Sequence, residues 1–334
     1  MMTFERLNLD AVDWEQLDAL PDRTVYQTRS WLDFIARAQN AEPVVAVLRE
    51  GNDALAYFTG LMVTKCGLRI LGSPFPGWTS DYMGFNLTSD VPRREALKAL
   101  ERFAFHELRC VHLELMDRNL AVADAVTLGF EVRTFQTYEV NLERSEEEIF
   151  ASLDNDVRRC VRKSMRDGVT IEEADTSDFV DDYYAQLQDV FAKQGLVPTY
   201  GIERVRLLFE YLHPTGRLLL LRARDASGRC IGTGIFPAMN DTAFFWGGAS
   251  WRQYQYLHPN DPIHWYAMRY WRERGMQRYD LGGGGKYKEK YGGQIVVVPW
   301  LRQSMYRFIA PLRNAAKRLV KTSQRVRGYL LSRR

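Results

Sequence analysis

Two arginines on one face of a predicted helix are the first candidates for chemistry. Arg158 and Arg162 lie four residues apart in the segment RRCVRKSMR, so a helix places both guanidinium groups on the same face. Guanidinium groups bind phosphate oxygens through paired N–H donors, which suits the phosphates of a nucleotide or of a lipid carrier. The alternative is a solvated helix face on which these arginines pair with Asp154 and Asp156.

A second candidate is the pair of glycines in the strand-like segment FFWGGAS. Because Gly247 and Gly248 have no side chains, a ligand carbonyl can approach their backbone N–H groups closely. Trp246 and Ser250 flank the pair and are candidates for substrate binding. The alternative is a bulge in a buried strand.

Asp280 ends the short predicted strand RYD, directly before the glycine run 282–285. A carboxylate in this position can orient an attacking amine, or it can cap a neighbouring element of structure. The glycine run is not a P-loop, because the spacing GxxxxGK[ST] is missing.

Two aromatic residues follow a proline-rich loop. Trp78 and Tyr82 come after the segment SPFPG, and aromatic platforms of this kind bind sugars or aliphatic chains. Packing of the loop onto the core is the alternative interpretation.

The sequence predicts neither a metal site nor a disulfide bond. His106, Cys110 and His112 straddle a predicted helix-to-strand junction without a fourth ligand, so no metal site is predicted. The four cysteines form no CxxC pair, which favours a reduced, cytoplasmic chain.

The elements that must position these residues occur twice along the 334 residues. Each half contains helical segments, a hairpin, a further helix and a short strand, and the first hairpin turns at Gly51-Asn52-Asp53. This order predicts a duplicated α/β (α+β) domain, with mixed and mostly antiparallel sheets flanked by helices. The predicted domains are residues 1–144 and 145–301.

Charge is distributed unevenly. Residues 302–334 contain ten Lys or Arg and no Asp or Glu, whereas the whole chain has a net charge of only +3. Apolar residues recur there at helical spacing, which predicts a basic amphipathic helix. Such a helix can bind an anionic membrane surface or nucleic-acid phosphates, or it can pack on the body with a solvated basic face.

Four segments in order resemble the FemAB-like branch of the GNAT acyltransferase superfamily. They are Pro74-Phe75-Pro76-Gly77-Trp78 with Tyr82; Arg158 to Ser164; Trp246 to Ser250 with Trp265 behind them; and Tyr279 to Gly283 with Tyr287, Lys288 and Tyr291-Gly292-Gly293. The resemblance covers about residues 25 to 300, and it implies two tandem GNAT-like domains, in agreement with the duplication.

The resemblance also implies an activity. Members of this family transfer an aminoacyl group from aminoacyl-tRNA, or an acyl group from a thioester, to an amine of a peptidoglycan or polysaccharide precursor. Lys288 matches the lysine of the family's aromatic-Lys motif, with Tyr287 as the aromatic residue. This match implies that Lys288 offsets negative charge at the site, while a surface lysine beside Lys286 and Lys290 is the alternative.

The expected protein is therefore an enzyme that binds no cofactor tightly and uses acyl-CoA or aminoacyl-tRNA as donor. The acceptor is a small-molecule or lipid-linked amine, and residues 302–334 are a candidate contact with the inner face of the membrane. The segment from Arg229 to Gly234 satisfies the CoA-loop pattern [QR]xxGxG. It is predicted to be a strand, however, whereas a loop that binds the CoA pyrophosphate leads into a helix. The competing functions are an ordinary acyl-CoA-dependent N-acyltransferase of polysaccharide or lipid decoration, and a non-catalytic scaffold on membrane or nucleic acid.

Overall fold

The computed structural model describes residues 2–88 and 91–306, and the chain divides into two compact units. The first unit contains residues 2–137 together with 296–306, and the second contains residues 138–295. The first unit therefore includes all but the first two residues of the last described strand, whereas the sequence predicted residues up to 301 for the second domain.

The first unit is built on a mostly antiparallel sheet. Its strands, in chain order, are β1 Thr3–Arg6, β2 Glu42–Glu50, β3 Asp53–Lys65, β4 Leu68–Ser73, β5 Phe85–Leu87, β6 Cys110–Met116, β7 Glu131–Asn141 and, much later, β14 Gln294–Ser304. The spatial order is β1-β2-β3-β4-β6-β14-β7, and β5 pairs with β3. The predicted hairpin is formed by β2 and β3, and only β4 and β6 run parallel among the neighbouring pairs with described registers.

Four helices accompany this sheet: α1 Trp14–Asp18, α2 Arg29–Gln39, α3 Arg93–Arg102 and α4 Val122–Thr127. Helix α2 begins where the Thr28 side chain accepts the backbone N–H of Trp31, and it ends at Asn40 in the left-handed conformation. Its apolar face buries Trp31 and Phe34 completely.

The second unit has its own sheet. Its strands are β8 Thr170–Glu173, β9 Leu218–Arg224, β10 Cys230–Met239, β11 Thr242–Phe244, β12 Gly247–Ser250 and β13 Arg278–Asp280. The last residues of β7 pair with β13, and the order continues through β11, β10 and β9 to β8, while β12 pairs separately with β10. Residues 230–239 thus form a strand, as predicted for the apparent CoA-loop pattern.

Helices lie on both faces of the second sheet: α5 Glu146–Ser152, α6 Asn155–Arg166, α7 Phe179–Ala192, α8 Ile202–Leu212 and α9 Asn260–Glu273. Helices α5 and α6 are separated by a break at Leu153 and Asp154. The chain is extended at Leu153 and Asp154, because the Asp154 N–H leaves the helix and donates to the Lys290 carbonyl. The two helices therefore meet at a corner.

The predicted α/β class, with mostly antiparallel sheets flanked by helices, is confirmed in both units. The basic segment begins later than expected, because Arg302 belongs to β14, is 2 % exposed and is paired with Glu131. The predicted amphipathic helix lies in residues 307–334, outside the described residues. No described helix combines the length and the apolar character needed to cross a bilayer.

Candidate active site

The second unit contains a place where two neighbouring strands separate. Strand β11 runs parallel to β13, and the Phe245 N–H still donates to the Asp280 carbonyl at 2.8 Å. At the next residue, the Trp246 N–H donates instead to the Ile235 carbonyl at 3.0 Å, and β12 continues beside β10. The chain thus leaves β13 at this point, and a gap opens between β12 and the segment that follows β13.

A cavity of about 360 Å³ lies beside this gap. Its wall includes Phe245 and Gly248 from the diverging strand, Asp261 and His264 from the first turns of α9, and Tyr287 from the segment after the glycine run. The wall is about as polar as it is apolar, and a concave site in which several polar groups converge can bind a small molecule. The cavity is therefore the candidate site for the reacting groups.

The two glycines of β12 are required by close packing. A Cβ atom on Gly247 would lie 2.6 Å from the Tyr183 hydroxyl oxygen of α7, and one on Gly248 would lie 3.0 Å from the Phe245 ring. Gly248 lines the cavity, whereas Gly247 contacts α7. A larger residue at either position would displace an aromatic ring that shapes the site.

Lys288 is buried and its ammonium is held by the backbone. Its Nζ atom donates to the carbonyls of Leu281, Gly282 (3.1 Å) and Gly283 (2.9 Å). These bonds use all three N–H donors of an ammonium group. In this arrangement Lys288 fixes the glycine run and has no donor left for an oxyanion, which differs from the role implied by the resemblance.

Asp280 is fully buried, and its carboxylate, like the Lys288 ammonium, is hydrogen-bonded to the backbone. Its Oδ1 atom accepts the N–H of Gly282 at 2.7 Å, which turns the chain directly after β13. Asp280 and Lys288 thus hold the same turn from its two ends. This is the structural alternative that the sequence analysis set beside the catalytic one.

Three side chains with metal-binding atoms lie close together, and two of them belong to the cavity wall. Atoms of Cys160, His258 and Asp261 lie within 4.8 Å of one another. Asp261 Oδ1 already accepts from the Lys290 ammonium at 3.0 Å and from the Tyr291 hydroxyl at 2.9 Å. Because a cation already neutralises one of the three ligands, the set is a poor fit to Zn²⁺.

His264 was not singled out from the sequence. It is 5 % exposed, and its Nδ1 atom lies 2.7 Å from the Tyr279 hydroxyl. Burial, together with the charges of Lys290 and Lys288, lowers the pKa of His264 to about 3. Its only sequence signal is its place three residues after Asp261, on the same face of a helix that follows a proline and an asparagine.

The basic face of α6 forms an open groove of about 740 Å³. Val157 and Val161 face the core, so Arg158 and Arg162 point outward. Arg158 donates to the Ala151 carbonyl and to the Asn155 side chain, and Arg162 lies 5.1 Å from the centre of the Phe150 ring.

Carboxylate pairing separates these two arginines from their neighbours. Arg159 pairs with Asp156 at 3.0 Å, and Lys163 pairs with Asp167 at 3.0 Å. Neither Arg158 nor Arg162 has a carboxylate partner in the described part of the chain. The pairing with Asp154 and Asp156, which the sequence left open for them, is therefore not observed.

The other predicted residues of the second unit surround the diverging strand. Trp246 packs against Tyr200 with ring centres 5.6 Å apart, and the Ser250 hydroxyl accepts from the Asn260 amide at 3.3 Å. Tyr287 is exposed at the cavity wall. Ser250 therefore positions the start of α9, and Tyr287 is the residue of this set that a ligand reaches directly.

Trp78 and Tyr82 lie in the first unit. Trp78 packs on Phe75 with ring centres 4.7 Å apart. Tyr82 is 2 % exposed, and its hydroxyl accepts from Arg118 at 3.2 Å. A ring this deeply buried cannot serve as an open platform, so Tyr82 fits the packing alternative.

Known proteins share the fold of this chain. Residues 151–291 match the family model described as "Acetyltransferase (GNAT) domain", whereas no curated protein matches the chain. The structure is similar to that of FemX, with a TM-score of 0.75 and 14% identity over 92% of this chain and 99% of that chain.

Two further solved structures share the fold. L-PGS from Bacillus licheniformis matches with a TM-score of 0.55 and 9% identity, over 86% of this chain and 91% of that chain. A tandem GNAT protein from the clavulanic acid biosynthesis pathway matches with 0.54 and 11% identity, over 91% and 98% of the two chains. Residues 151–291 are thus a GNAT acetyltransferase domain in a chain with the fold of FemX and of tandem GNAT proteins, and the protein is an acyltransferase.

Proposed function

We propose that the protein transfers an acyl or aminoacyl group from an activated ester or thioester to an amine of a cell-envelope precursor, a peptidoglycan or polysaccharide unit, and so forms an amide. The observation behind this proposal is the separation of β12 from β13 beside the cavity. A carbonyl group held there is removed from bulk water, with room for an amine to approach it.

The donor's phosphate groups bind best outside the cavity. The first turn of α9 contains Asp261 and Pro262, so it presents a carboxylate and lacks one N–H where an anion-binding helix start needs free donors. On α6, Arg158 and Arg162 offer guanidinium groups without carboxylate partners. A phosphate-bearing donor therefore lies along α6 and directs its acyl end into the cavity.

The two sites are neighbours within the second unit. Cys160 of α6 lies within 4.8 Å of the polar atoms of His258 and Asp261, which line the cavity. The Lys163 ammonium donates to the Tyr256 carbonyl at 3.2 Å, and this bond joins α6 to the segment that leads into α9. On this proposal the donor passes over Lys163, which lines the groove, to reach the cavity.

Two donors satisfy this description. Acyl-CoA is the donor of GNAT enzymes, and with it the protein would be an N-acyltransferase that decorates a polysaccharide or lipid. Aminoacyl-tRNA is the donor implied by the FemAB-like resemblance, and the unpaired arginines of α6 favour such a polyanion. The acceptor is a small-molecule or lipid-linked amine in both cases.

Calorimetric titration distinguishes the donors. The purified protein is titrated with CoA, acetyl-CoA, uncharged tRNA and charged tRNA. Saturable micromolar binding of acetyl-CoA identifies a thioester donor, and selective binding of charged tRNA identifies an aminoacyl donor. If none of the four ligands binds, the proposed function is wrong.

The basic segment completes the proposal as a contact with the inner, cytoplasmic face of the membrane. Truncation after Tyr306 removes it and leaves β14 intact, whereas truncation at 302 would remove the buried Arg302. We expect the truncated protein to lose binding to anionic liposomes and to keep acyl transfer. If it keeps liposome binding, this contact is excluded; if no acyl transfer is found with either form, the scaffold alternative gains support.

A further inference from the structure

His264 lines the cavity, and one of its two ring nitrogens is fixed by a hydrogen bond. The Nδ1 atom lies 2.7 Å from the Tyr279 hydroxyl, and both side chains are buried. The Nε2 atom has no hydrogen-bond partner in the described part of the chain. It is not among the fully buried polar atoms without a partner, and His264 lines the cavity. The imidazole thus presents a single polar atom to whatever occupies the site.

The Tyr279 hydroxyl fixes the position of the imidazole proton. Burial raises the pKa of Tyr279 well above its usual value, so its hydroxyl stays protonated. Its only partner in the described residues is Nδ1, and a buried O–H without an acceptor would cost free energy. Tyr279 therefore donates to Nδ1, and the proton of the neutral imidazole is on Nε2.

The surroundings keep this imidazole neutral. The rings of Phe245 and Tyr291 lie 4.5 Å and 4.4 Å from the centre of the His264 ring. Besides burial, the ammonium groups of Lys290 and Lys288 lower the pKa of His264, so both oppose its protonation. Asp261 is on the same helix, but it accepts from Lys290 and Tyr291.

We infer that His264 donates its Nε2–H to the carbonyl oxygen of the acyl group held in the cavity and stabilises the oxyanion formed there. This inference rests on the proposed function. The amine lone pair forms the new C–N bond, and the C=O π electrons move to the oxygen that accepts the Nε2–H. When the intermediate collapses, the C–S or C–O bond breaks, the leaving group takes that electron pair, and the amine proton passes to it or to solvent. His264 transfers no proton, in contrast to a general base.

The tautomer is tested without substrate. Long-range ¹H–¹⁵N spectra of histidine-labelled protein, with His264 assigned by its absence in His264→Gln, are recorded from about pH 5 to pH 8, the range in which an ordinary histidine titrates. We expect the Nε2–H form throughout, with no titration. An Nδ1–H form, or a midpoint inside this range, would overturn the inference.

Kinetics test the contact with the acyl group. We expect His264→Leu to lower kcat with acetyl-CoA or charged tRNA by about 100-fold or more with little change in KM, because one oxyanion donor is lost. His264→Gln keeps an N–H near the position of Nε2 and is expected to recover part of the rate. Equal rates in His264→Leu and wild type would exclude this role.

Tyrosine variants test the positioning role of Tyr279. Tyr279→Phe frees the tautomer and is expected to lower kcat about 10-fold, with mixed tautomers in the spectra. Tyr266→Phe, on the same helix as His264, loses only a hydroxyl that bonds to Glu173 and is the control, with His106→Gln as the control for the histidine changes. Absence of any donor binding in the wild type would reject the proposed function, whereas the spectra of the free protein reject or support the His264 tautomer independently.

Discussion

The cavity and the basic face of α6 both belong to the second unit, but their charged groups are arranged in opposite ways. In the cavity the charged groups are neutralised locally: Asp261 is bonded to Lys290, and His264 is buried as a neutral ring. On α6, Arg158 and Arg162 face the groove without carboxylate partners. The difference indicates a division of labour, in which the groove binds an anionic carrier and the cavity holds a neutral reacting group.

The largest expected effect concerns Lys288, which belongs to the cavity side of this comparison. Lys288→Met leaves the carbonyls of Leu281, Gly282 and Gly283 without their donor, so we expect a loss of about 2–4 kcal/mol in the free energy of unfolding. Urea denaturation measures it. Lys286→Met, at an exposed neighbouring position, is the control and should stay within about 0.5 kcal/mol of wild type.

This prediction also decides between the two roles of Lys288. A purely catalytic lysine would leave stability unchanged and would reduce only turnover, as the resemblance implies. Normal stability of Lys288→Met combined with a loss of turnover would therefore contradict the structural role described here.

The next effect is the pH dependence of stability that is due to the neutral His264 in the cavity. The folded pKa of His264, about 3, lies below that of an unfolded histidine, so the unfolded chain binds one more proton between these values. Stability due to this residue is present above about pH 6.5 and is lost as the pH falls, by about 1.4 kcal/mol per pH unit.

Denaturation of wild type and His264→Gln at a series of pH values between 7 and 4 checks this slope. We expect the wild type to lose stability more steeply than the variant, and the difference between the two slopes is the contribution of His264. Parallel curves would show that His264 binds its proton equally in the folded and unfolded states, which would contradict a neutral, buried imidazole.

A smaller effect concerns the groove. Arg158→Gln combined with Arg162→Gln removes the two guanidinium groups that have no carboxylate partner among the described residues. We therefore expect the affinity for the donor to fall about 10-fold. If the donor is tRNA, the slope of log affinity against log salt should decrease by about one to two. Arg206→Gln, which removes a paired arginine of α8, is the control; an equal loss of affinity in the control would reject a specific groove.

The smallest effect is expected for the group formed by Cys160, His258 and Asp261. Because Lys290 already pairs with Asp261, we expect one equivalent of Zn²⁺ to leave the Tm unchanged, and Cys160→Ser to alter stability by less than about 0.5 kcal/mol. A rise in Tm of several degrees with Zn²⁺ that disappears in Cys160→Ser would show that these residues do form a metal site.

The sequence predicted the parts of this protein that depend on local patterns. Alternating apolar residues around Gly51-Asn52-Asp53 predicted the hairpin of β2 and β3, and four-residue spacing placed Arg158 and Arg162 on one face. Both features depend on residues that are near one another along the chain. The family resemblance likewise rested on short segments, and the GNAT domain over residues 151–291 confirms it.

Only the tertiary structure decided what these residues contact. Arg302 is buried through its place in β14, which pairs with β6, so its burial does not follow from local sequence. The three carbonyls that hold Lys288 are close to it along the chain, but only the closed turn after β13 directs all of them at its ammonium. The cavity arises where β12 leaves β13 for β10, a pairing of segments distant along the chain. The role inferred for His264 also depends on tertiary contacts. Tyr279 determines its tautomer, and two lysines help to keep it neutral, but none of these residues is close to His264 in sequence.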